Sequence, residues 1–347
     1  MFTNIIGSDP WRRLGDWLLT AIILYWLWLV LLPLIQWAVI NASWQGTDRS
    51  VCHNDGACWI FVQVNINKFI YGFYPISEQW RINFSFTMLG VLLVLSAYSN
   101  APYRRYWIAL LIGIYPIVAF ALLYGGIGGL KIIETHLWGG LMLTLVLAIV
   151  GIASSLPLGI LLALGRRSQL PVIRFFSIFY IELLRGIPLI TVLFMASVML
   201  PMFFPPNFDL NKLLRAMIGI IMFQSAYIAE VVRGGIQAIP KGQYEAALSL
   251  GLSYWHAMLF IILPQALRHV IPGLVNTFIA LFKDTTLVLI IGLFDLLGIV
   301  EQSFSDPLWL GYTTEGYLTA AAIFWFFCYS MSRYSQYLER TVQAGSR

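Results

Sequence analysis

Long uncharged apolar runs are the feature that most constrains this 347-residue chain. Residues 17–47, 82–103, 106–130 and 137–165 contain no Asp, Glu, Lys or Arg. A helix needs about 20 mainly apolar residues to cross the hydrocarbon core of a bilayer, so each run is long enough for one span. Later runs are interrupted by single charges. The sequence predicts eight spans, near residues 17–40, 84–100, 106–125, 138–164, 174–200, 213–233, 269–291 and 317–335.

Composition supports a membrane protein. Hydrophobic residues make up 59% of the chain and charged residues only 11%, against about 25% charged in soluble domains. This excludes a soluble enzyme, a disordered tail and a nucleic-acid-binding module, and the net charge of +5 does not indicate a nucleic-acid partner. The first run is too long for a cleaved signal peptide and lacks a small-residue cleavage site, so we interpret it as an anchor.

The distribution of basic residues predicts the orientation in the membrane. With both termini cytoplasmic, thirteen of the 21 Lys and Arg lie on the inner side, six on the outer side and two within spans. This asymmetry follows the positive-inside rule. Residues 41–83 and 201–212 are then expected outside, and residues 233–268 inside.

Cys52 and Cys58 lie in the long outer segment. In an oxidising compartment they could form a disulfide, and the alternative is two unpaired thiols. A zinc site would need one further ligand, so we predict no metal. The chain has no G-x-x-x-x-G-K-[ST] motif and no H-E-x-x-H or G-x-S-x-G motif. We therefore predict no enzymatic activity and no cofactor for this chain.

Several charged and polar residues fall within the predicted spans and need partners, because a charge at the bilayer centre costs about 2.5–3.5 kcal/mol on insertion scales. They could line a pathway for a zwitterion, or form ion pairs that lock helices together or contact a partner subunit. Glu182 and Arg185 are three residues apart and could pair with each other. The candidates for a substrate pathway are Glu182, Arg185, Gln224, Tyr227, Glu230, Lys283, Asp284 and Thr285.

Two further patterns concern helix geometry. Gly186 and Pro188 predict a break in the fifth span, which would free backbone groups for a ligand. Gly151, Ser155, Gly159 and Ala163 recur every four residues in the fourth span. This spacing predicts a face on which another helix packs closely, with no role in binding substrate.

The inner segment 233–268 predicts two helices. Pro240 suits the first turn of a short helix, and Gly251 suits its carboxyl-terminal cap. Ser253 is a good amino-terminal cap for a second helix, which is expected to end at the break at Leu263–Pro264.

The residue spacing in the same segment resembles a known signature motif. Glu245-Ala246-Ala247, three residues, Gly251, nine residues, Ile261, one residue and Leu263-Pro264 match the EAA signature of bacterial ABC-importer permeases. Residues 180–189, 226–235 and 283–287 are similar to the polar and general amino-acid permease family, although Thr286 stands where Ser is more usual. The extension before residue 138 resembles general L-amino-acid permeases.

The resemblance implies an all-α membrane protein with about eight transmembrane helices. A type I ABC-importer core of five helices, 138–347, would follow an extension, 1–137, with three. It also implies an inner-membrane location and a broad-specificity amino-acid importer. The implied partners are a second permease, two cytoplasmic ATPases that hold ATP and Mg²⁺, and a periplasmic binding protein. We expect the second permease to be a related but different chain, and a homodimer is the alternative. The ATPases would contact the EAA loop through Gln243, Tyr244, Glu245, Ala246, Ala247 and Gly251.

Two alternatives stay open. A secondary transporter or channel would explain the spans but not the EAA spacing. An ABC permease for another small polar solute would have both the spans and the EAA spacing.

Overall fold

A computed structural model describes residues 10–52, 55–98, 101–205 and 210–344, with side chains described from residue 14 to residue 340 within those ranges. The described residues form helices and connecting segments, and β structure is limited to isolated bridges. The predicted termini and part of the predicted outer segment 201–212 lie outside these ranges, so those predictions are not addressed by the fold.

The first part of the described chain contains five α-helices. They are α1 (Pro10–Ile35), α2 (Trp59–Tyr71), α3 (Gln79–Ala97), α4 (Arg104–Ala109) and α5 (Tyr115–Tyr124). π-Helical segments follow α1 and join α4 to α5, at Gln36–Ile40 and Leu110–Ile114. Short 3-10 turns lie at Arg49–Val51, Ile76–Glu78 and Thr135–Leu137.

The described residues of the second part form ten more α-helices. They are α6 (Gly140–Arg166), α7 (Pro171–Gly186), α8 (Leu189–Val198), α9 (Lys212–Ala238), α10 (Lys241–Ser249), α11 (Tyr254–Ala257), α12 (Leu263–His269), α13 (Ile271–Asp284), α14 (Leu296–Ser303) and α15 (Thr313–Ala344). A π-helix, Met258–Ile262, joins α11 to α12. The 3-10 segments are Leu200–Phe203, Thr285–Ile291 and Pro307–Trp309.

Six described helices are long and apolar enough to cross a membrane, or seven if α7 and α8 form one broken span. Helices α7 and α8 meet at 107°, which confirms the break predicted at Gly186 and Pro188. The eighth predicted span falls within α15, whose length suffices for a crossing but whose aromatic and polar content places it outside the apolar set. An all-α membrane fold is therefore confirmed.

The described chain divides into two compact units. One contains Met1–Asn65 with Phe304–Gly316, and the other contains Ile66–Ser303 with Tyr317–Arg347. The proposed boundary at residue 137 stays a prediction.

In the first unit, Phe61 is fully buried and packs against the rings of Phe304, Trp309 and Tyr312. Cys52 and Cys58 are joined in a disulfide with their Cα atoms 5.4 Å apart. The backbone N–H of Cys58 donates to the Glu315 carboxylate at 2.9 Å. Residues 41–83, predicted from the sequence as a long loop between spans, contain α2 and the start of α3.

In the second unit, Arg81 is 2% exposed although it is charged. It pairs with Glu78 at 2.7 Å and donates to the carbonyl oxygen of Lys131 at 2.8 Å. Both partners are close in space to the first turn of α3, so Arg81 fixes that turn rather than facing water.

The centre of the second unit is the pair of 27-residue helices α6 and α9. A Cβ built at Gly151 would lie 3.1 Å from Ile220, and one built at Gly159 would lie 2.5 Å from Ile228. The contacts advance in the same direction on both helices, so α6 and α9 run parallel. Gly151, Ser155, Gly159 and Ala163 are all buried. The small-residue face is thus a helix-packing surface, as the sequence predicted.

The amino-terminal end of this pair packs around a buried carboxylate, and we call it the Asp295 end. Asp295 is fully buried and accepts a hydrogen bond from the Gly298 N–H at 2.9 Å, while its Oδ2 has no partner among the described residues. Thr144 Oγ1 of α6 accepts from the neighbouring Leu296 N–H at 3.0 Å. Burial raises the pKa of Asp295 to about 6, because desolvation disfavours the charged form.

Candidate functional site

The carboxyl-terminal end of the α6–α9 pair carries a cluster of five charged residues from three helices. We call it the ion cluster. It consists of Arg166 on α6, Glu182 and Arg185 on α7, and Glu230 and Arg233 on α9. These side chains are between one-fifth and just over one-half exposed.

Glu230 is the centre of the ion cluster. Its Oε2 lies 3.4 Å from Arg166 and 3.6 Å from Arg185. Its Oε1 accepts from Arg233 Nε at 3.0 Å and also contacts Arg233 Nη2. Three guanidinium groups therefore surround one carboxylate, and a second carboxylate, Glu182, contacts Arg166 at 2.8 Å. The cluster carries one more positive than negative charge.

Glu182 and Arg185 do not pair with each other, although their spacing allowed it. Within the described residues, Glu182 pairs with Arg166, and Arg185 pairs with Glu230. The two side chains project from α7 toward different helices, and each finds a nearer partner there. Glu182 is the more exposed partner in its pair, at 56% of its side chain, so one face of its carboxylate is open.

Tyr227 forms a wall beside Arg185. The guanidinium carbon of Arg185 lies 5.7 Å from the centre of the Tyr227 ring, within the range of a cation–π contact. Phe223 packs against Tyr227, with the two ring centres 4.9 Å apart. The arrangement gives an aromatic surface next to charges of both signs.

The remaining candidates do not join the ion cluster. Gln224 is 3% exposed and donates to the carbonyl oxygen of Thr277 at 2.9 Å, which ties α9 to α13. Thr285 is fully buried and donates to the Phe282 carbonyl oxygen at 2.8 Å. Lys283 is exposed and Asp284 is half-buried, at the point where α13 tightens into a 3-10 helix.

The sequence did not indicate Arg166 and Arg233 as site residues. Arg233 follows Glu230 by three residues, and this spacing is typical of helical ion pairs, so it could have been found. Arg166 lies 64 residues before Glu230. It served only as an orientation signal, and nothing in the spacing predicts its contacts.

The second candidate surface is the segment between α9 and α13. The short helix α10 ends at Gly251, whose φ is +78°. The Gly251 N–H donates to the Leu248 carbonyl at 2.9 Å, and the Leu252 N–H donates to the Ala247 carbonyl at 3.2 Å. These two bonds form a Schellman cap, as expected for a glycine in the left-handed conformation.

Helix α10 has two faces. Ala247 is 1% exposed and packs against the rest of the chain, and Tyr244 is half-buried. Glu245, Ala246 and Leu248 are exposed and lie away from Ala247 on the helix, and Gln243 and Leu250 are also exposed. Of the six residues predicted to contact a partner, some are therefore buried or half-buried within this chain, and only the exposed ones are accessible to a partner.

The second helix of this segment does not end at Pro264 as predicted. Ser253 caps α11 by accepting from the His256 N–H, and the chain stays helical from Tyr254 to His269. The π-helix Met258–Ile262 precedes Pro264, which then occupies the first turn of α12. Proline is tolerated in a first turn, where its missing N–H has no intrahelical partner to serve.

Residues 155–344 match the family model described as "Binding-protein-dependent transport system inner membrane component". This match covers more than half of the chain. The chain belongs to this family of inner-membrane transport components. The permease core recognised by the EAA spacing is thereby confirmed.

Relatives support the assignment over most of the permease. The inner membrane amino-acid ABC transporter permease protein YhdY of Escherichia coli (strain K12) is 54% identical over 94% of this chain and 89% of its own length. The glutamate/glutamine/aspartate/asparagine transport system permease protein BztC of Rhodobacter capsulatus is 40% identical over 84% of this chain and 80% of its own. Both matches cover more of the chain than residues 138–347 do, so both include part of the amino-terminal extension.

A solved structure shares the fold of the core. It is described as a crystal structure of an amino acid ABC transporter with histidines, and it aligns with a TM-score of 0.52 at 32% identity. The alignment covers 58% of this chain and 92% of that chain.

Proposed function

We propose that this permease moves amino acids, with broad specificity for L-amino acids, from a periplasmic binding protein to the cytoplasm. The main support is the 54% identity to a chain named as an amino-acid ABC transporter permease. The ion cluster supports a zwitterionic substrate, because it offers charges of both signs beside an aromatic wall. A substrate carboxylate would approach the surplus guanidinium charge, and its ammonium would approach the open face of Glu182.

The substrate pathway is proposed to pass Glu182, Arg185, Tyr227 and Glu230. These four residues share one partly exposed region of α7 and α9. Gln224 and Thr285 are less suited to it, since both are buried and bonded to backbone carbonyls. Lys283 and Asp284 would face a separate part of the path, at the end of α13.

The exposed face of α10 is proposed to seat in a groove on a cytoplasmic ATPase. Glu245, Ala246 and Leu248 lie on that face, and Gln243 and Leu250 are exposed beside it. A nine-residue helix is marginal alone, and packing on a partner would stabilise it. ATP and Mg²⁺ would be held by that partner.

The assembly is proposed to contain a second, different permease chain, two ATPases and a periplasmic binding protein in the bacterial inner membrane. Both termini and residues 233–268 would be cytoplasmic, and residues 41–83 and 201–212 periplasmic. Labelling tests this orientation. A Cys introduced at Gln243 in intact cells should resist an impermeant thiol reagent and react after lysis, and labelling from outside would contradict the topology.

The Cys52–Cys58 disulfide is proposed to form in the periplasm. Mass spectrometry of the alkylated, non-reduced protein should find both thiols blocked from alkylation and Cys328 modified. Alkylation of Cys52 and Cys58 without reductant would contradict the bridge.

Reconstitution tests the transport function. The complex co-purified from its native membrane, with its binding protein, should accumulate several radiolabelled L-amino acids in proteoliposomes that contain ATP. The same vesicles without ATP, or with D-amino acids, are the controls. Uptake that runs without ATP would favour a secondary transporter or channel.

A further inference from the structure

The carboxyl-terminal end of α6 touches both candidate surfaces. Arg166 and Arg167 are adjacent, but their side chains diverge. Arg166 reaches the ion cluster, with contacts to Glu182 and Glu230. Arg167 reaches the opposite way, to Tyr244 on α10.

The contact between Arg167 and Tyr244 has two components. The guanidinium carbon of Arg167 lies 5.8 Å from the centre of the Tyr244 ring, and its Nη1 donates to the Tyr244 hydroxyl at 3.3 Å. The same hydroxyl donates to the carbonyl oxygen of Ile236 on α9 at 3.3 Å. Tyr244 is thus held between the ends of α6 and α9.

The contacts form a continuous path from α10 to the broken span. Tyr244 contacts Arg167, and the preceding residue, Arg166, contacts Glu182 on α7. Glu230 then links Arg166 to Arg185. The links are ion pairs and a cation–π contact at partly exposed positions, which can break and reform at low cost compared with apolar packing.

We propose that Arg166 and Arg167 form a transmission joint, which couples movement of α10 to opening of the ion cluster. A displacement of Tyr244 would pull on Arg167, shift the end of α6 and withdraw Arg166 from Glu182. Release of Glu182 and α7 would then expose the charges of the cluster in step with the ATPase. Both arginines are positioning residues in this account. The inference rests on the proposed function, since it assumes an ATPase that moves α10.

The experiment measures coupling, as substrate imported per ATP hydrolysed, in proteoliposomes. Arg167→Met removes the cation from the Tyr244 ring, and Tyr244→Leu removes the ring. We expect each to lower the coupling ratio by at least about fivefold, the factor that corresponds to roughly 1 kcal/mol for one cation–π contact. Tyr244→Phe keeps the ring and Arg167→Lys keeps the cation, so both should retain most of the coupling.

The double variant Arg167→Met/Tyr244→Leu should be no worse than either single variant, because both remove the same link. Arg174→Met is the matched control. Arg174 is exposed on neighbouring α7, and its side chain has no partner among the described residues. This control should couple as the wild type does.

Three results would overturn the joint. One is an unchanged coupling ratio in Arg167→Met with the complex intact, and another is additive losses in the double variant. The third is loss of the assembled complex in both Arg167→Met and Tyr244→Phe. That result would mean that the contact only holds α10 in place and has no part in coupling. Failure of the wild-type complex to import amino acids would instead count against the proposed function.

Discussion

At the Asp295 end of the α6–α9 pair, Leu143, Leu147 and Ile220 pack in an apolar core beside a buried carboxylate whose Oδ2 has no partner among the described residues. At the other end, five charged side chains from three helices share partners. The apolar end loses dispersion contacts as soon as it separates, whereas the charged end can exchange one partner for another. The difference teaches that one end of the pair is built to stay closed and the other to rearrange.

The largest expected effect comes from the contact that holds the two helices at a fixed distance. Gly159→Ala adds a Cβ that would lie 2.5 Å from Ile228 Cγ2 and 2.9 Å from the Ser225 carbonyl oxygen. The helices must move apart, at a cost of about 3 kcal/mol, the upper range for overpacking. Thermal unfolding of the purified wild type and variant measures this loss of stability. Gly90→Ala in α3, where a Cβ meets nothing within 4 Å, is the control. Equal stability of the two variants would contradict the close packing.

The second-largest effect is expected at Asp295, whose titration should make the stability of the permease depend on pH. Its folded-state pKa is raised to about 6, so the folded state binds more protons than the unfolded state between about pH 4 and pH 6. Protonation of Asp295 therefore contributes roughly 2–3 kcal/mol to the free energy of unfolding. This contribution is fully present below the unfolded-state pKa of about 3.9 and is lost as the pH rises through the folded-state pKa.

Asp295→Asn should flatten this profile, since an amide does not titrate. Unfolding of the wild type and the variant in detergent from pH 4.5 to pH 7 compares the slopes. Glu301→Gln on the same helix is the control and should keep most of the slope. A wild-type stability that rises across this range would reverse the sign and sink the interpretation.

The ion cluster should respond in transport more than in stability. Arg185→Ala and Glu230→Ala each remove one member of a partly exposed network, so uptake should fall about tenfold, roughly 1.4 kcal/mol, while the complex still assembles. Uptake and co-purification with the ATPase are measured together, with Arg174→Ala as the control. If both variants fail to assemble, the cluster locks helices together. If both transport normally, it has neither role.

The smallest effect is expected at the cap of α10. Gly251 and Gly242 both have open space around a Cβ, but only Gly251 has a positive φ. Gly251→Ala should therefore cost about 1 kcal/mol, the penalty for an L-residue in the left-handed conformation, and Gly242→Ala should cost nothing. Gly251→Val should misdirect the helix further and uncouple ATP hydrolysis from delivery. The coupling ratio of each variant is measured, with membrane insertion checked in parallel. Equal ratios in Gly251→Ala, Gly251→Val and Gly242→Ala would show that the cap has no part in coupling.

The sequence predicted the parts of this fold that depend on local patterns. Apolar runs located the spans, Gly186 and Pro188 located the broken helix, and Gly251 located the cap. It did not predict which charges meet. The partner of Glu182 depends on how α6 and α7 are rotated about their axes, and that rotation is decided by packing between residues far apart in the chain. The helical continuation past Pro264 was missed because a change of winding leaves no periodic signal in so few residues.

That change of winding has a consequence for register. A π-helix closes its hydrogen bonds over five residues where an α-helix uses four, so Met258–Ile262 accommodates one residue more than an uninterrupted α-helix would. Because the extra residue is absorbed within this wider turn, the helix before it and the helix after it keep nearly the relative rotation of an uninterrupted α-helix. Deleting one residue there would tighten the turn to an α-helical one and place Pro264 in a helix interior, where its ring clashes with a carbonyl of the preceding turn. The nine-residue interval between Gly251 and Ile261 therefore contains the residue that lets the chain stay helical from Tyr254 through Pro264.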